Sequence, residues 1–453
     1  MAPSAVSSSD AADAAAPVVP PVAKEAAAVA NGRHLQANGN GHSAAAVVGK
    51  ELDPLEAPLD ASLLTYTLAK KPRPVPADHG AAANAGDETL ATDHMVTASW
   101  RAGRGWSTPE LKPYGPLMLM PTASCLHYAT ECFEGLKVFR GYDGRLRVFR
   151  PDRNARRMRM SAARISLPVF EPAELERLML ALLAVDGPRW LPRDRPGTFL
   201  YLRPTLIGTQ PQLGVQVSRE ALLYVILTYM PCMDRPPGGM RLHTSPRDMI
   251  RAWVGGFGFA KLGANYGPSL QATQEARRRG FHQILWLYAS PMAAPPGAPD
   301  NVNEDDVDEV AECTEAGASN FFIVWRRPGD GRKELLTAPL DDKLILDGVT
   351  RRSCLDLARE RLADDVIVSE RKYTIADLLR ADAEGRILEA FAAGTAYFIC
   401  PVSQIHHRGR DVLIPMGVDG DGGEVTAKLK QWIGDIMYGR EDHPWGVVID
   451  EKE

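Results

Sequence analysis

A single cation stands in the stretch WVGGFGFAKLGANYGP, residues 253–268: Lys261, among glycines, small residues and aromatics, with no acid inside the stretch to pair with it. The common fate of a lysine is a solvated surface charge, since the side chain is seldom buried without a partner. The glycines around it form no phosphate loop of the usual kinds, because GFGFAKLG has neither GxxxxGK nor GxGxxG spacing. The other chemistry open to it is nucleophilic. Shielded from water or set near another positive centre, a lysine amine loses pKa and attacks an aldehyde to form a Schiff base. That chemistry suits pyridoxal phosphate. It requires three further groups: a carboxylate for the pyridinium nitrogen, a cradle for the phosphate, and a donor for the phenolate oxygen.

The chain that must position such groups has 453 residues, 45% of them apolar and 24% charged, which is enough for two ordinary domains with real cores. A formal net charge of -5 gives no electrostatic case for nucleic acid or an anionic membrane. No apolar run approaches the ~20 residues of a spanning helix. The six cysteines (125, 132, 232, 313, 354 and 400) form no CxxC pair, and His406 and His407 have none nearby, so neither a metal site nor a disulfide framework is expected.

Residues 1–88 are rich in Ala, Ser, Pro, Gly and Asn and are expected to be a disordered low-complexity tail. The first 40 hold only Lys24 and Arg33 as cations, against Asp10, Asp13 and Glu25, which fits a targeting peptide poorly. The cytoplasm is the expected compartment, with mitochondria left open. Strand and helix patterns then alternate, predicting an α/β (mixed α+β) chain. Strands are expected at 146–150, 198–208 and 221–230, and helices at 154–165, 174–185, 269–280, 351–362 and 429–440. The Pro/Gly cluster PCMDRPPGGMRL marks an interdomain loop at 231–244. It separates a smaller α/β domain, 89–230, from a larger cofactor-binding domain, 245–453. The Pro-, Gly- and acid-rich stretch at 291–309 reads as a surface insertion.

The blocks DHMVTASW, PYGPL, SCLHYATECFEGLKVFRG, RVFRPDRNARRM, YLRPTLIG, RAWVGG, AKLGANYGPSL, LDGVTRRS and AAGTAYFICPV occur in the order seen in branched-chain amino acid aminotransferases, from about residue 93 to about 446. The chain resembles that family. The resemblance implies a two-domain, fold type IV, pyridoxal-phosphate-dependent transaminase with the cofactor at the domain interface and a homodimeric assembly. Its reaction would move the amino group between Leu, Ile or Val and 2-oxoglutarate. On this likeness Lys261 is the Schiff-base lysine and carries the α-proton, Tyr266 faces the phenolate oxygen, and Glu315 stands at the pyridine nitrogen. Arg157 binds the phosphate. The turns 346–350 and 393–396 complete the cradle, with Gly348 allowing close approach, Val349, Thr350 and Thr395 as donors, and Leu346 against the ring. Tyr128, Phe133, Tyr201, Arg203, Ala318 and Ala396 match positions around the substrate. Taken singly, each has an ordinary structural explanation: Arg157 lies among Arg153, Arg156 and Arg159 on a basic helix face, and the aromatics could be core.

The chain also departs from the pattern. Ala260 stands where tyrosine is usual, Ala318 where a threonine hydroxyl is usual, and Ala392-Ala393 where Gly-Ser is usual. Asp347 replaces proline in the cradle turn and is expected to point outward. Tyr397 and Cys400 replace a CxxC pair. A transaminase with a different amino-acid substrate therefore stays open. D-amino acid transaminase and aminodeoxychorismate lyase activity would suit the same Lys and Glu, although FEGLKVFRG and YLRPTLIG argue against them. A non-catalytic binding or regulatory relative is the reading from another class.

Overall fold

The computed structural model describes residues 56–451 apart from 79, 81–82, 84–87, 234–235 and 291–306. The expected tail up to residue 55 and the expected insertion up to 306 lie outside the described residues.

Two sheets organise these residues. The first has ten strands, arranged in space as Thr65–Tyr66, Glu110–Pro113, Ala91–Arg101, Glu220–Thr228, Phe199–Gly208, Leu136–Arg140, Leu146–Phe149 and Gly446–Val448, with two short strands paired at its sides. Strict alternation sets its inward face: Ala221, Leu223, Val225 and Leu227 are buried, and Leu222, Tyr224 and Ile226 between them are only half-buried. Two helices, Pro151–Arg164 and Pro172–Trp190, each begin with proline in the first turn and cover that face. Met158, Leu178 and Leu182 from the helices meet Val96, Val138 and Leu223 from the strands.

The second sheet has nine strands and mixes parallel and antiparallel pairs. Its strand Ser319–Arg326 runs unbroken apolar from Phe321 to Trp325 because both faces are covered there. Phe321, Ile323 and Trp325 join a core with Leu378 of the helix Ile375–Ala383. Phe322 and Val324 join another with Leu355 and Leu429 of the helices Val349–Arg361 and Glu424–Met437.

Three boundaries differ from the sequence reading. Residues 57–66, assigned to the tail, are built into the first sheet: Thr65 and Tyr66 pair with Glu110 and Leu111, and Leu59 is buried in the core. Part of the expected loop at 231–244 is the strand Met240–Thr244, held between Gln283–Tyr288 and Phe398–His407. The proline and glycine run ends at Gly239, after which Met240, Leu242 and Thr244 alternate inward. Finally, Gly446–Val448, placed with the larger half, pairs with Leu146–Phe149 of the first sheet.

Candidate active site

Lys261 sits beside the core of the first sheet. Its neighbours Ala260 and Leu262 are both buried in the core of the first sheet. Its own backbone is fastened on both sides: the N–H donates to Ser161 Oγ at 2.9 Å, and the carbonyl accepts from Phe133 N–H at 3.1 Å. A bridge between Cys132 and Leu262 extends the clasp. Nζ donates to Tyr266 Oη at 2.9 Å, lies 4.8 Å from the centre of the Phe133 ring, and Phe133 and Tyr266 pack with centroids 5.2 Å apart. Arg203 lies over Phe133 at 4.5 Å and donates to Tyr201 Oη at 3.1 Å. The structure therefore brings Lys261, Tyr266, Phe133, Tyr201 and Arg203 into one group.

Glu315 is buried at the end of the strand Glu312–Ala316. Its Oε1 accepts from Leu346 N–H and from Asn320 Nδ2, both at 3.1 Å, and Oε2 is paired with Arg251. Burial pushes its carboxyl above the ordinary value, against the opposing pull of Arg251, the Leu346 N–H and Lys261. Glu315, Tyr266, Leu346 and Ala318 line one cavity. Asn320 also donates to Leu346 carbonyl at 2.9 Å, so it ties the carboxylate to the 346–350 turn.

Arg157, on the inner face of Pro151–Arg164, is buried and reaches the same turn by donating to Asp347 carbonyl at 2.8 Å. Its Nε and NH2 donate to the two oxygens of Glu134, each at 2.7 Å. Burial pulls the guanidinium pKa down, and the Glu134 carboxylate, helped by Tyr266 and Asp347, reverses this, so the net direction is up. Asp347 turns its carboxylate away along the helix to Arg352, at 3.2 Å.

The turn after Asp347 opens the helix Val349–Arg361. Gly348 is its N-cap and has no side-chain cap, and the N–H groups of Val349 and Thr350 have no partner among the described residues. Gly348 is required sterically, because a Cβ there would lie 2.1 Å from Asn320 Oδ1. Thr395 donates through Oγ1 to Gly135 carbonyl at 3.1 Å, and Lys137 Nζ donates to Ala396 carbonyl at 3.2 Å. Val349, Thr350 and Thr395 share a second cavity.

Tyr128 is the sequence candidate the structure does not bring in. It is half-exposed on the short helix Ser124–Tyr128, and its hydroxyl accepts from Gly214 N–H at 2.7 Å. Sequence reasoning missed Glu134, Asn320 and Arg251, which fix Arg157 and Glu315. Glu134 and Arg251 lie inside the recognised blocks FEGLKVFRG and RAWVGG, so position in a block was the available signal.

The donor set suits a phosphorylated pyridine aldehyde. Uncapped helix N–H groups beside a buried arginine suit a dianion, a buried carboxylate suits a cationic ring N–H, and a lysine amine held by a phenol suits an aldehyde. Fold and site together define an aminotransferase: the family described as "Amino-transferase class IV" matches residues 304–405. More narrowly, the chain belongs to the branched-chain-amino-acid aminotransferase family. It is 42% identical over 393 residues to the mitochondrial enzyme of Schizosaccharomyces pombe, covering 86% of each chain. It is 41% identical to the cytosolic enzyme of Saccharomyces cerevisiae, covering 87% of this chain and 99% of the relative. The fold is also that of the holo-form branched-chain aminotransferase of Thermobaculum terrenum, with a TM-score of 0.56 and 21% identity over 78% of this chain and 98% of that one.

Proposed function

We propose that this chain is a pyridoxal-phosphate-dependent transaminase moving the amino group between the branched-chain L-amino acids Leu, Ile and Val and 2-oxoglutarate. The observation that carries the reading is the Lys261 Nζ–Tyr266 Oη bond of 2.9 Å, made beside a cavity that also holds the buried Glu315. Bound there, pyridoxal phosphate supplies an aldehyde and an electron-withdrawing ring. The rest falls to the protein. Lys261 Nζ removes the α-proton of the amino acid in one half-reaction and supplies the α-proton of the new amino acid in the other. Tyr266 Oη fixes that amine and offers a donor to a phenolate oxygen. Glu315, desolvated and easily protonated alone, is stabilised as a carboxylate by a cationic N–H beside it. Arg157 and the N–H groups of Val349 and Thr350 hold the phosphate, with Thr395 on the other turn and Gly348 keeping the approach open. Leu346, on the wall of the same cavity as Glu315, would pack against the ring. Phe133, Tyr201 and Arg203 bound the substrate side, with Ala318 and Ala396 near its carboxylate.

A homodimer and a division into two domains belong to the same reading. So does the cytoplasmic compartment, with mitochondria left open, since relatives are named for both. None of the described helices is long and apolar enough to cross a membrane.

The test is direct. The purified protein should be yellow, and borohydride should fix cofactor mass on Lys261. L-leucine with 2-oxoglutarate should give 4-methyl-2-oxopentanoate and L-glutamate, and Lys261→Ala should abolish both results. Turnover of D-leucine in place of the L form would overturn the substrate assignment, and failure to take up pyridoxal phosphate would overturn the whole reading.

A further inference from the structure

Tyr397 is the last residue of the turn joining the strands Ile387–Gly394 and Phe398–His407. The hairpin closes with Gly394 opposite Phe398, and Phe398 takes φ 57°, the left-handed region that a bulky side chain adopts only under strain. Such strain gathers at functional sites. Here it accompanies Tyr397, which lines the cavity that Tyr266, Glu315, Ala318 and Ala260 also line. There Tyr397 Oη accepts a hydrogen bond from Gln283 Nε2 at 3.2 Å. Gln283 packs closely against the hairpin turn at 317–318, where a Cβ on Gly317, which has φ 59°, would lie 2.3 Å from Gln283 Oε1.

The amide therefore fills one lone pair of the phenol, and the phenolic hydrogen has no acceptor among the described residues. Ala260 and Ala318 offer only methyl groups. The cavity thus presents a fixed hydroxyl donor close to Ala318, the position that lacks the family's hydroxyl. A branched aliphatic side chain has no use for such a donor, whereas a carboxylate does.

We propose that Tyr397 donates its phenolic hydrogen to a carboxylate of the bound amino or 2-oxo acid, with Gln283 orienting it. This rests on the transaminase reading above. The carboxylate could be the α-carboxylate that every substrate carries, or the distal one of glutamate and 2-oxoglutarate.

The experiment uses the holoenzyme and the Tyr397→Phe variant, which keeps the ring and loses the donor. Dissociation constants for 4-methylvaleric acid and glutaric acid, neither of which can be transaminated, are read from the change in cofactor absorbance. Loss of one charge-assisted hydrogen bond should weaken binding about tenfold to a hundredfold. Equal weakening of both probes assigns the α-carboxylate, and weakening of glutaric acid alone assigns the distal one. Unchanged affinity for both overturns the proposal. In turnover, KM should rise with kcat nearly kept, and Gln283→Leu should move KM in the same direction by less. An unchanged melting temperature for Tyr397→Phe separates this effect from misfolding. A wild-type protein that shows no cofactor absorbance would sink the transaminase reading instead.

Discussion

Glu134 and Arg157 grip each other through two parallel hydrogen bonds of 2.7 Å, Nε to Oε1 and NH2 to Oε2, and Glu134 is fully buried. Asn154 adds a third donor to the same carboxylate at 2.8 Å. Arg157 is left with its NH1 side toward the 346–350 turn, so the carboxylate sets where the positive charge points. Glu134→Ala should leave a buried guanidinium unpaired. The expected loss is about 3–5 kcal/mol of stability, read by urea unfolding of the cofactor-free protein, together with weaker uptake of pyridoxal phosphate by titration. Removing Asn154 alone should have the smaller effect of a single hydrogen bond.

Glu315 makes a prediction about pH. Its folded carboxyl titrates above the ordinary 4.5, chiefly through burial. The folded state therefore holds this proton at a pH where the unfolded chain has released it. Stability from this group is present below the ordinary value and is lost as pH rises through the raised folded one. Compared with Glu315→Gln, which does not titrate, the cofactor-free wild type should lose relative stability as pH climbs upward from about 4.5. Urea unfolding of both proteins across that range checks it. A wild type that gains relative stability with rising pH would refute the assignment.

Gly348→Ala tests the cradle without touching a charge. Gly348 has φ -67° and ψ 134°, which alanine adopts freely, so the backbone offers no objection. The obstacle is Asn320, whose Oδ1 would lie 2.1 Å from the new methyl and whose Nδ2 is already committed to Glu315 and Leu346. The side chain cannot swing away without releasing both. A loss of about 1–3 kcal/mol is expected from overpacking, with a raised dissociation constant for pyridoxal phosphate. In an Asn320→Ala background the added cost of Gly348→Ala should shrink, because the clash is gone. Paired unfolding curves and cofactor titrations of the single and double variants measure this coupling.

How much of this was legible in the sequence differs by element. The strand Phe199–Gly208, expected at 198–208, and the helix Pro151–Arg164, expected from 154, came through because residue pattern is a local signal. Lys261 and Tyr266 were assigned from one ordered block and Glu315 from its likeness to the family glutamate, and the structure places Tyr266 with each of the other two. The helix Ile375–Ala383 was missed although Thr374 and Asp377 form a capping box there, since Asp in the third position is a weaker flag than Glu or Gln. Glu134 and Asn320 were missed for a different reason. Their roles depend on partners 23 and 26 positions away, Arg157 and Leu346, and no local pattern encodes such a pairing.

Residues 57–66 make the clearest case of tertiary contacts overriding composition, and they give the last prediction. A stretch poor in aromatics and flanked by alanine and proline reads as tail, yet Leu59 is only 2% exposed within the first core. Its neighbours are fastened from several directions. Trp106 N–H donates to Ala57 carbonyl at 2.8 Å, Ala61 N–H donates to Glu174 Oε2 at 2.8 Å, and Thr65 and Tyr66 add a short parallel pair to Glu110 and Leu111. The segment therefore completes the edge of the sheet and covers apolar area that would otherwise face water. Leu59→Ala should destabilise the protein by about 2–5 kcal/mol, as for a buried leucine in a packed core. Leu63→Ala, four positions on but 56% exposed, should stay within about 0.5 kcal/mol of wild type. Both are measured by urea unfolding of the full chain. If Leu59→Ala also stays within about 0.5 kcal/mol of wild type, the segment contributes nothing to the core and the reading of residues 57–66 as tail is restored.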